Sequence, residues 1–349
     1  MDPTPSTPGR KRGVSPVLIG GAIGIAVGWI LLAVVMIVLI GRVNAEKRPG
    51  PVPRLTRAAP SVNPDLYIEK PARPASEEVF GEDQVPPRPE VPPAPLTEAD
   101  EGIDREALGA SLDQVQQTSG GRMSVSYIGP DQKRGFAYQG DRPAPAGELM
   151  KLCLLVSALK RVDQGEWDPD APLPGTGMAL RDALPAMMSG SDPVVANAII
   201  DEVGIEALNG EIHGYMALSQ STQLQRRLLD MSARAQGLEN TTTTNDMAQL
   251  LFSLTRGELL GGVSTEMALE TLASPQPQGK IPRGVPSLAG VAVGNRPAEL
   301  PDLEADAAVI WYPDHRWSVL VVSVSGHDEP MAARRAVTDA TAIIWAATN

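Results

Sequence analysis

The sequence predicts an α+β domain whose antiparallel sheet draws its strands from both ends of residues 103–349. Alternating apolar residues, typical of half-buried strands, occur near the start of this region at Met123–Ile128 and near its end at Trp317–Val324. Between them, from Gly147 to about Glu270, apolar residues have helical spacing. We therefore expect one sheet with terminal helices on one face and a central all-helical subdomain, preceded by one transmembrane helix.

Turn signals divide the predicted domain into elements. Gly129-Pro130-Asp131 separates the first two strands and Pro313-Asp314-His315 the last two, since proline, glycine and aspartate favour reverse turns. The expected order is a helix over Ile103–Gln117, strands at Met123–Ile128 and Gly135–Gln139, the helical block, strands at Val291–Val293, Ala307–Tyr312 and Trp317–Val324, and a closing helix over Pro330–Thr348.

An uncharged apolar run of 25 residues, Val17–Gly41, precedes the domain. As a helix it would be about 37 Å long, enough to cross a hydrocarbon core of ~30 Å. The run is too long for the apolar core of a cleaved signal peptide, although Val43-Asn44-Ala45 resembles a cleavage site. We therefore expect a single-pass membrane anchor at 17–41, with residues 1–16 as a tail.

Three glycines within this run, Gly20, Gly24 and Gly28, recur every four residues and would share one face of a helix. Small residues at this spacing let two membrane helices approach closely. Besides the lipid bilayer, the run therefore predicts a helix partner, which is either a second copy of this chain or another membrane subunit.

Residues 42–102 predict a linker, because they hold 13 prolines and little apolar sequence. Such a segment favours extended polyproline II and would hold the domain tens of ångströms from the bilayer. The order of short tail, span and large domain favours a cytoplasmic N-terminus and an extracytoplasmic domain at the cell membrane. The flanking charges oppose this weakly, since basic residues after the span outnumber Arg10, Lys11 and Arg12 before it.

Charge and the rare residue types exclude several function classes. The net charge is −12 and no basic cluster lies beyond the membrane flanks, so nucleic acid is not an expected partner. His213, His315 and His327 lack the spacing of metal ligands, and no cofactor is expected. Cys153 is the single cysteine, and its apolar neighbours predict a small core residue.

The residues that decide the chemistry lie where the helical block begins, at Ala146-Gly147-Glu148-Leu149-Met150-Lys151. The spacing is that of a Ser-x-x-Lys motif, in which a lysine one helical turn after a serine nucleophile helps to remove its proton. Here Glu148 stands in the serine position, while Lys151 is retained. We expect Glu148 to cap the helix and to form an ion pair with Lys151.

Residues 103–349 resemble the class A β-lactamase and penicillin-binding-protein superfamily of serine acyl-transferases. The resemblance also rests on the segments Leu159–Glu166, Leu180–Leu184, Met188–Asp192, Gln225–Asp230 and Asn240–Met247, the last two of which flank the equivalent of the omega loop. It implies the layered α+β fold predicted above. For an active member it implies a Ser-Asp-Asn loop, a Lys-Thr/Ser-Gly strand, and an oxyanion hole of backbone amides at the nucleophile and on that strand.

The sequence departs from this pattern at every motif. Ser191 and Asp192 match the second motif, but Pro193 replaces its asparagine and removes both a side-chain amide and a backbone donor. In the third motif Gly294-Asn295-Arg296 stands where Lys-Thr/Ser-Gly is expected, so that only Arg296 supplies a charge. The stretch Met231–Glu239 lacks the Glu-x-x-Leu-Asn pattern of the deacylating base.

These losses predict a membrane-anchored, catalytically inactive domain that works by binding, as an accessory subunit of an envelope complex. Its expected ligand classes are another membrane or envelope protein and peptidoglycan. The alternative is a hydrolase or peptidoglycan-modifying enzyme with altered residues, in which Glu148, Lys151, Ser191 and Asp192 perform acid–base work. An open polar cleft would favour ligand handling, whereas a cleft filled by apolar side chains would favour a scaffold.

Overall fold

The computed structural model describes residues 103–133, 135–190, 192–274 and 279–348. The predicted tail, transmembrane helix and linker, and also Ser191, lie outside these ranges. Within the described ranges, no helix combines the length and the apolarity that a membrane crossing requires.

A five-stranded antiparallel sheet forms the centre of the domain. Its strands are β1 Arg122–Ile128, β2 Gly135–Tyr138, β5 Ala292–Leu300, β6 Leu303–Trp311 and β7 Trp317–Ser325, while β3 Ala144–Pro145 and β4 Thr241–Thr242 pair separately. The order in the sheet is β2-β1-β7-β6-β5. β1 pairs along its whole length with β7, which confirms that strands from both ends join one sheet.

Two terminal helices cover one face of this sheet, as the sequence predicts. They are α1 Arg105–Ser119 and α10 Pro330–Thr348, and they pack on each other. Asp104 is the extended residue just before α1, and its carboxylate accepts a hydrogen bond of 2.9 Å from the Ala107 amide. Leu112, Val337 and Ile344 are buried in the core between these helices and the sheet.

A helical subdomain lies on the opposite face. Its central helix is buried on all sides from Met150 to Leu159, as expected for a helix that is apolar all round. The elements of this part are a 3-10 turn Gly147–Leu149, α2 Met150–Asp163, α3 Leu180–Ser189, α4 Val194–Val203, α5 Ile205–His213, α6 Met231–Ala235, α7 Thr244–Thr255 and α8 Gly262–Ala273; a short α9, Ile281–Gly284, packs on the terminal-helix side.

β5 and β6 are both longer than the sequence suggests. β5 continues through Pro297, which a central strand would not tolerate, because β5 lies at the edge of the sheet. β6 begins at Leu303 rather than Ala307, since Glu304 and Asp306 are buried in spite of their charge. Because these charged residues interrupt the alternation of apolar residues, the hydrophobic pattern does not predict the first part of the strand.

Candidate functional site

Glu148 lies in the 3-10 turn that leads into α2, close against the sheet. The turn approaches β5 and β6 so tightly that a β-carbon added at Gly147 would lie 3.1 Å from the Leu303 side chain. The Glu148 side chain is 7% exposed, and its Oε2 accepts a hydrogen bond of 3.0 Å from the backbone N–H of Glu299 on β5. The expected helix cap is therefore absent, because the carboxylate binds the neighbouring strand instead.

Lys151 is completely buried, and its ammonium group binds backbone oxygens. Nζ donates hydrogen bonds to the carbonyls of Met187, at 3.2 Å, and Gly190, at 3.0 Å. These carbonyls lie at the C-terminal end of α3, the negative end of its dipole. Burial and the neighbouring charge of Arg296 lower the pKa of Lys151 to about 8, against the opposing effect of Glu148. The expected contact ion pair with Glu148 is replaced by these carbonyls.

Arg296 joins Lys151 at the same helix end. Its guanidinium Nη1 donates to the carbonyls of Met188 and Gly190, so two buried cations share the Gly190 oxygen. Burial lowers the pKa of Arg296. Its Nε is buried without a hydrogen-bond partner among the described residues.

The other two residues of the third motif do not enter this site. A β-carbon added at Gly294 would lie 2.7 Å from the ring of Trp311, so the backbone there approaches an aromatic side chain. The Asn295 amide donates to both carboxylate oxygens of Asp306, at 2.9 and 3.0 Å. Because side chains alternate along a strand, Arg296 faces the helical subdomain and Asn295 faces the terminal helices.

The second motif contributes little to the site within the described residues. Asp192 is exposed, and its carboxylate accepts a hydrogen bond of 2.9 Å from the Val194 amide. It acts on Lys151 only through space, raising the lysine pKa slightly against the larger effect of burial. Pro193 precedes α4, and its carbonyl accepts from the Asn197 amide at 2.8 Å.

The cleft beside Glu148 is narrowed to a space of about 10 Å³. A space of this size holds roughly one water molecule. Arg226, which is buried and pairs with Glu239 at 2.6 Å, forms part of the wall. The lining residues are Gly147, Glu148, Arg226, Leu228, Leu229, Asn240 and Leu300. Apolar leucines and an internal ion pair thus occupy the space above the carboxylate.

The structure therefore brings together Glu148 and Lys151, which lie where α2 begins, and Arg296 of the distant strand β5. These side chains offer a carboxylate, an amine and a guanidinium, but no hydroxyl nucleophile. Within the described ranges, no group of three or more histidine, cysteine, aspartate or glutamate side chains is placed to bind a metal ion. Sequence reasoning missed the Glu299 amide and the α3 carbonyls, because backbone groups leave no residue-type signature.

Comparison with known proteins agrees with this architecture. The family described as the β-lactamase enzyme family matches residues 107–348. Among solved structures, an ancestral class A β-lactamase is similar at 25% identity and a TM-score of 0.62. The match covers 69% of this chain and 99% of the β-lactamase chain. A β-lactamase from Sphaerobacter thermophilus, at 24% identity and a TM-score of 0.62, covers 70% of this chain and 98% of its own. No curated protein matches the chain.

A third similar structure is a β-lactamase from Xanthomonas campestris, at 20% identity and a TM-score of 0.64, which covers 70% of this chain and 98% of its own. At such identity the likeness shows the fold alone. The family match spans well over half of the chain. The chain therefore belongs to the β-lactamase enzyme family, with the serine β-lactamase fold.

Proposed function

We propose that the chain is a membrane-anchored, catalytically inactive member of the β-lactamase family that works by binding. The observation that carries the proposal is the hydrogen bond of 3.0 Å from the Glu299 N–H to the Glu148 carboxylate. In the family pattern, an amide on this strand helps to form the oxyanion hole. Here the carboxylate at the nucleophile position accepts a hydrogen bond from an amide of this strand.

The charges around Glu148 support the same proposal. A substrate oxygen would have to displace the Glu148 side chain from the Glu299 amide, and a carboxylate cannot form the ester of a serine acyl-enzyme. Lys151 and Arg296 are bound to the carbonyl groups that end α3. None of the three gathered side chains replaces the missing serine.

The partner proposal rests on the sequence that precedes the domain. An apolar run of membrane-spanning length, a glycine face and a proline-rich linker fit a cell-membrane protein with a cytoplasmic N-terminus. We place the domain outside the cytoplasm, as an accessory subunit bound to a membrane or envelope protein. Peptidoglycan is the second ligand class that this placement allows.

Acylation tests the proposal directly. The full-length chain in mild detergent should neither hydrolyse nitrocefin nor become labelled by a fluorescent penicillin. Glu148→Ser should also remain unlabelled, because Pro193 still lacks the amide of the second motif and Lys151 still binds the α3 carbonyls. An active class A enzyme provides the positive control. Labelling of either protein that disappears on Lys151→Ala would refute the proposal.

One observation favours the alternative of an enzyme with altered chemistry. With a pKa of about 8, roughly a tenth of the Lys151 amine is neutral at pH 7, so it could accept a proton. Such an enzyme would show hydrolysis of nitrocefin or of peptidoglycan fragments that rises through an apparent pKa near 8. Loss of that activity in Lys151→Met, with an unchanged unfolding temperature, would favour this alternative over a binding domain.

A further inference from the structure

Aromatic side chains gather at one end of the sheet, where β6 passes into β7. Aromatic residues make up only 4% of the sequence, so composition alone does not predict such a cluster. Trp311 and Trp317 are register partners at the end of the β6–β7 pair. Five half-buried residues form the cluster, which we name the aromatic end: Phe252, Trp311, Tyr312, Trp317 and Trp345.

The aromatic end spans both faces of the sheet. On the face of the helical subdomain, the centres of the Phe252 and Trp317 rings lie 5.6 Å apart. On the face of the terminal helices, Tyr312 stacks on Trp345 at 5.9 Å. Because each of these residues keeps part of its surface accessible, apolar area lies beside the polar atoms of tyrosine and tryptophan. Proteins use this combination where they meet the boundary between lipid and water.

An exposed leucine adds to this apolar surface. Leu288 is 52% exposed in the loop that precedes β5. A β-carbon added at Gly290 would lie 2.8 Å from the Pro313 side chain, so this loop packs against the β6–β7 turn. A single exposed leucine is ordinary on a protein surface, but one beside five half-buried rings enlarges an apolar patch that indicates an interaction site.

Two arginines lie over the rings, and each is paired with a carboxylate. The Arg256 guanidinium lies 5.4 Å from the centre of the Phe252 ring and pairs with Glu258. Arg316 lies over the Tyr312 ring and pairs with its neighbour Asp314. These pairs leave no excess of positive charge to attract anionic lipid headgroups. Apolar and interfacial contacts must therefore supply the binding.

The chain enters the domain at the same end of the sheet. Arg105, the first residue of α1, donates a hydrogen bond of 2.8 Å to the carbonyl of Gly135, where β2 begins. Gly135 pairs with Ile128, and Ile128 pairs with Val319 near the start of β7. The sequence that carries the predicted anchor and linker therefore joins the domain beside the aromatic end.

We propose that the aromatic end docks on the surface of the lipid bilayer, with its rings and Leu288 in the interfacial layer. The proposal rests on the membrane anchoring proposed above. The predicted linker sets the average distance of the undocked domain, but proline-rich sequence is stiff only over several residues and so permits contact. Tethering also raises the effective concentration of the domain at the bilayer, so a weak affinity suffices. Docking fixes which side of the domain a membrane or envelope partner meets.

Fluorescence quenching in nanodiscs measures the docking of the full-length chain. Ser287→Cys carries a fluorophore next to Leu288, at the proposed contact, whereas Met331→Cys carries it about 20 Å along α10 from Trp345. The native Cys153 is buried and should take up no label. In phosphatidylcholine brominated on its acyl chains, the Ser287→Cys label should be quenched, and the Met331→Cys label should keep its intensity.

Leu288→Asp tests the apolar contact. In the Ser287→Cys chain it should lower the ratio of docked to undocked domain at least about threefold, because a carboxylate replaces a leucine at the interface. Met331→Asp, at a position that is 67% exposed, is the matched control and should leave the quenching unchanged. Since both side chains are exposed, both variants should keep the unfolding temperature of the parent chain.

The outcomes separate docking from the anchoring on which it rests. A chain that elutes apart from the nanodiscs would refute the anchoring, and the docking with it. Retention in the nanodiscs with equal quenching of the two labels, or with no effect of Leu288→Asp, would refute docking alone. Docking is also refuted if the Ser287→Cys label responds to soluble peptidoglycan fragments and not to brominated lipid, since the aromatic end would then bind sugar rings.

Discussion

At the scale of single residues, the domain contains more buried charge than its hydrophobic pattern suggests. Lys151, Arg296 and Lys280 are all nearly inaccessible, and each binds main-chain carbonyls of neighbouring segments. Unpaired buried charges cost several kcal/mol, so these contacts are a condition of folding. Burial lowers the pKa values of Lys151 and Arg296.

Asp306 gives the clearest consequence for stability. Burial raises its pKa from 3.8 to about 6, although Asn295 and Lys280 oppose the shift. An acid whose pKa is raised in the folded state adds stability when protonated, and that stability is lost as pH rises from about 4 through 6. The loss should amount to about 3 kcal/mol of unfolding free energy.

Urea unfolding of the wild type and Asp306→Asn across this pH range checks the prediction. The variant lacks the titrating group, so its stability relative to the wild type should increase as pH rises. Asp314→Asn is the matched control: Arg316 lowers the pKa of the exposed Asp314, so its contribution is lost only as pH falls below about 4 and its curve should stay parallel to the wild type across this range. Parallel curves for the wild type and Asp306→Asn would contradict the assignment.

At the scale of elements, β5 determines which residues face the site. Gly294 and Arg296 face the helical subdomain, while Asn295 between them binds Asp306 on the other side. Sequence matching put Gly294 and Asn295 in the third motif, but strand alternation and the tight approach of Trp311 give them structural roles.

Gly294→Ala should therefore destabilise the domain. Its β-carbon would lie 2.7 Å from the Trp311 ring and 3.0 Å from the Leu272 carbonyl oxygen, and such overpacking costs about 1–3 kcal/mol. Gly109→Ala in α1 is the matched control, since nothing lies within 4 Å and alanine favours the helix by about 0.5–1 kcal/mol. Gly294→Ala should lower the unfolding temperature and Gly109→Ala should raise it. Equal shifts in the two variants would contradict the packing argument.

The sequence predicted the type of each major element but not the full extent of β5 and β6. A proline at an edge position and carboxylates inside β6 break the alternation on which strand prediction relies. The convergence of Glu148, Lys151 and Arg296 followed from the family resemblance. The hydrogen bond from the Glu299 amide to Glu148 depends on packing between distant segments, which one sequence does not encode locally.

At the scale of the whole molecule, the predicted span remains the strongest indication of a partner. Gly24→Leu places a large side chain in the middle of the glycine face and should prevent close helix approach. In mild detergent, we expect the amount of protein that co-purifies with the full-length chain, or the self-associated fraction of the chain, to decrease severalfold. Ala26→Leu, on the opposite side of the helix, is the control; equal association in wild type and Gly24→Leu would remove the glycine face from the interaction.

The position of β1 has a consequence for biogenesis. β1 is enclosed between β2 and β7, and its partner residues on β7 lie about 200 positions later in the chain. A polypeptide that emerges N-terminus first cannot complete this sheet until β7 is available. The β1–β2 hairpin must wait, with its inner edge unpaired, through synthesis of the entire helical subdomain. Truncation within β7 should thus leave an aggregation-prone chain.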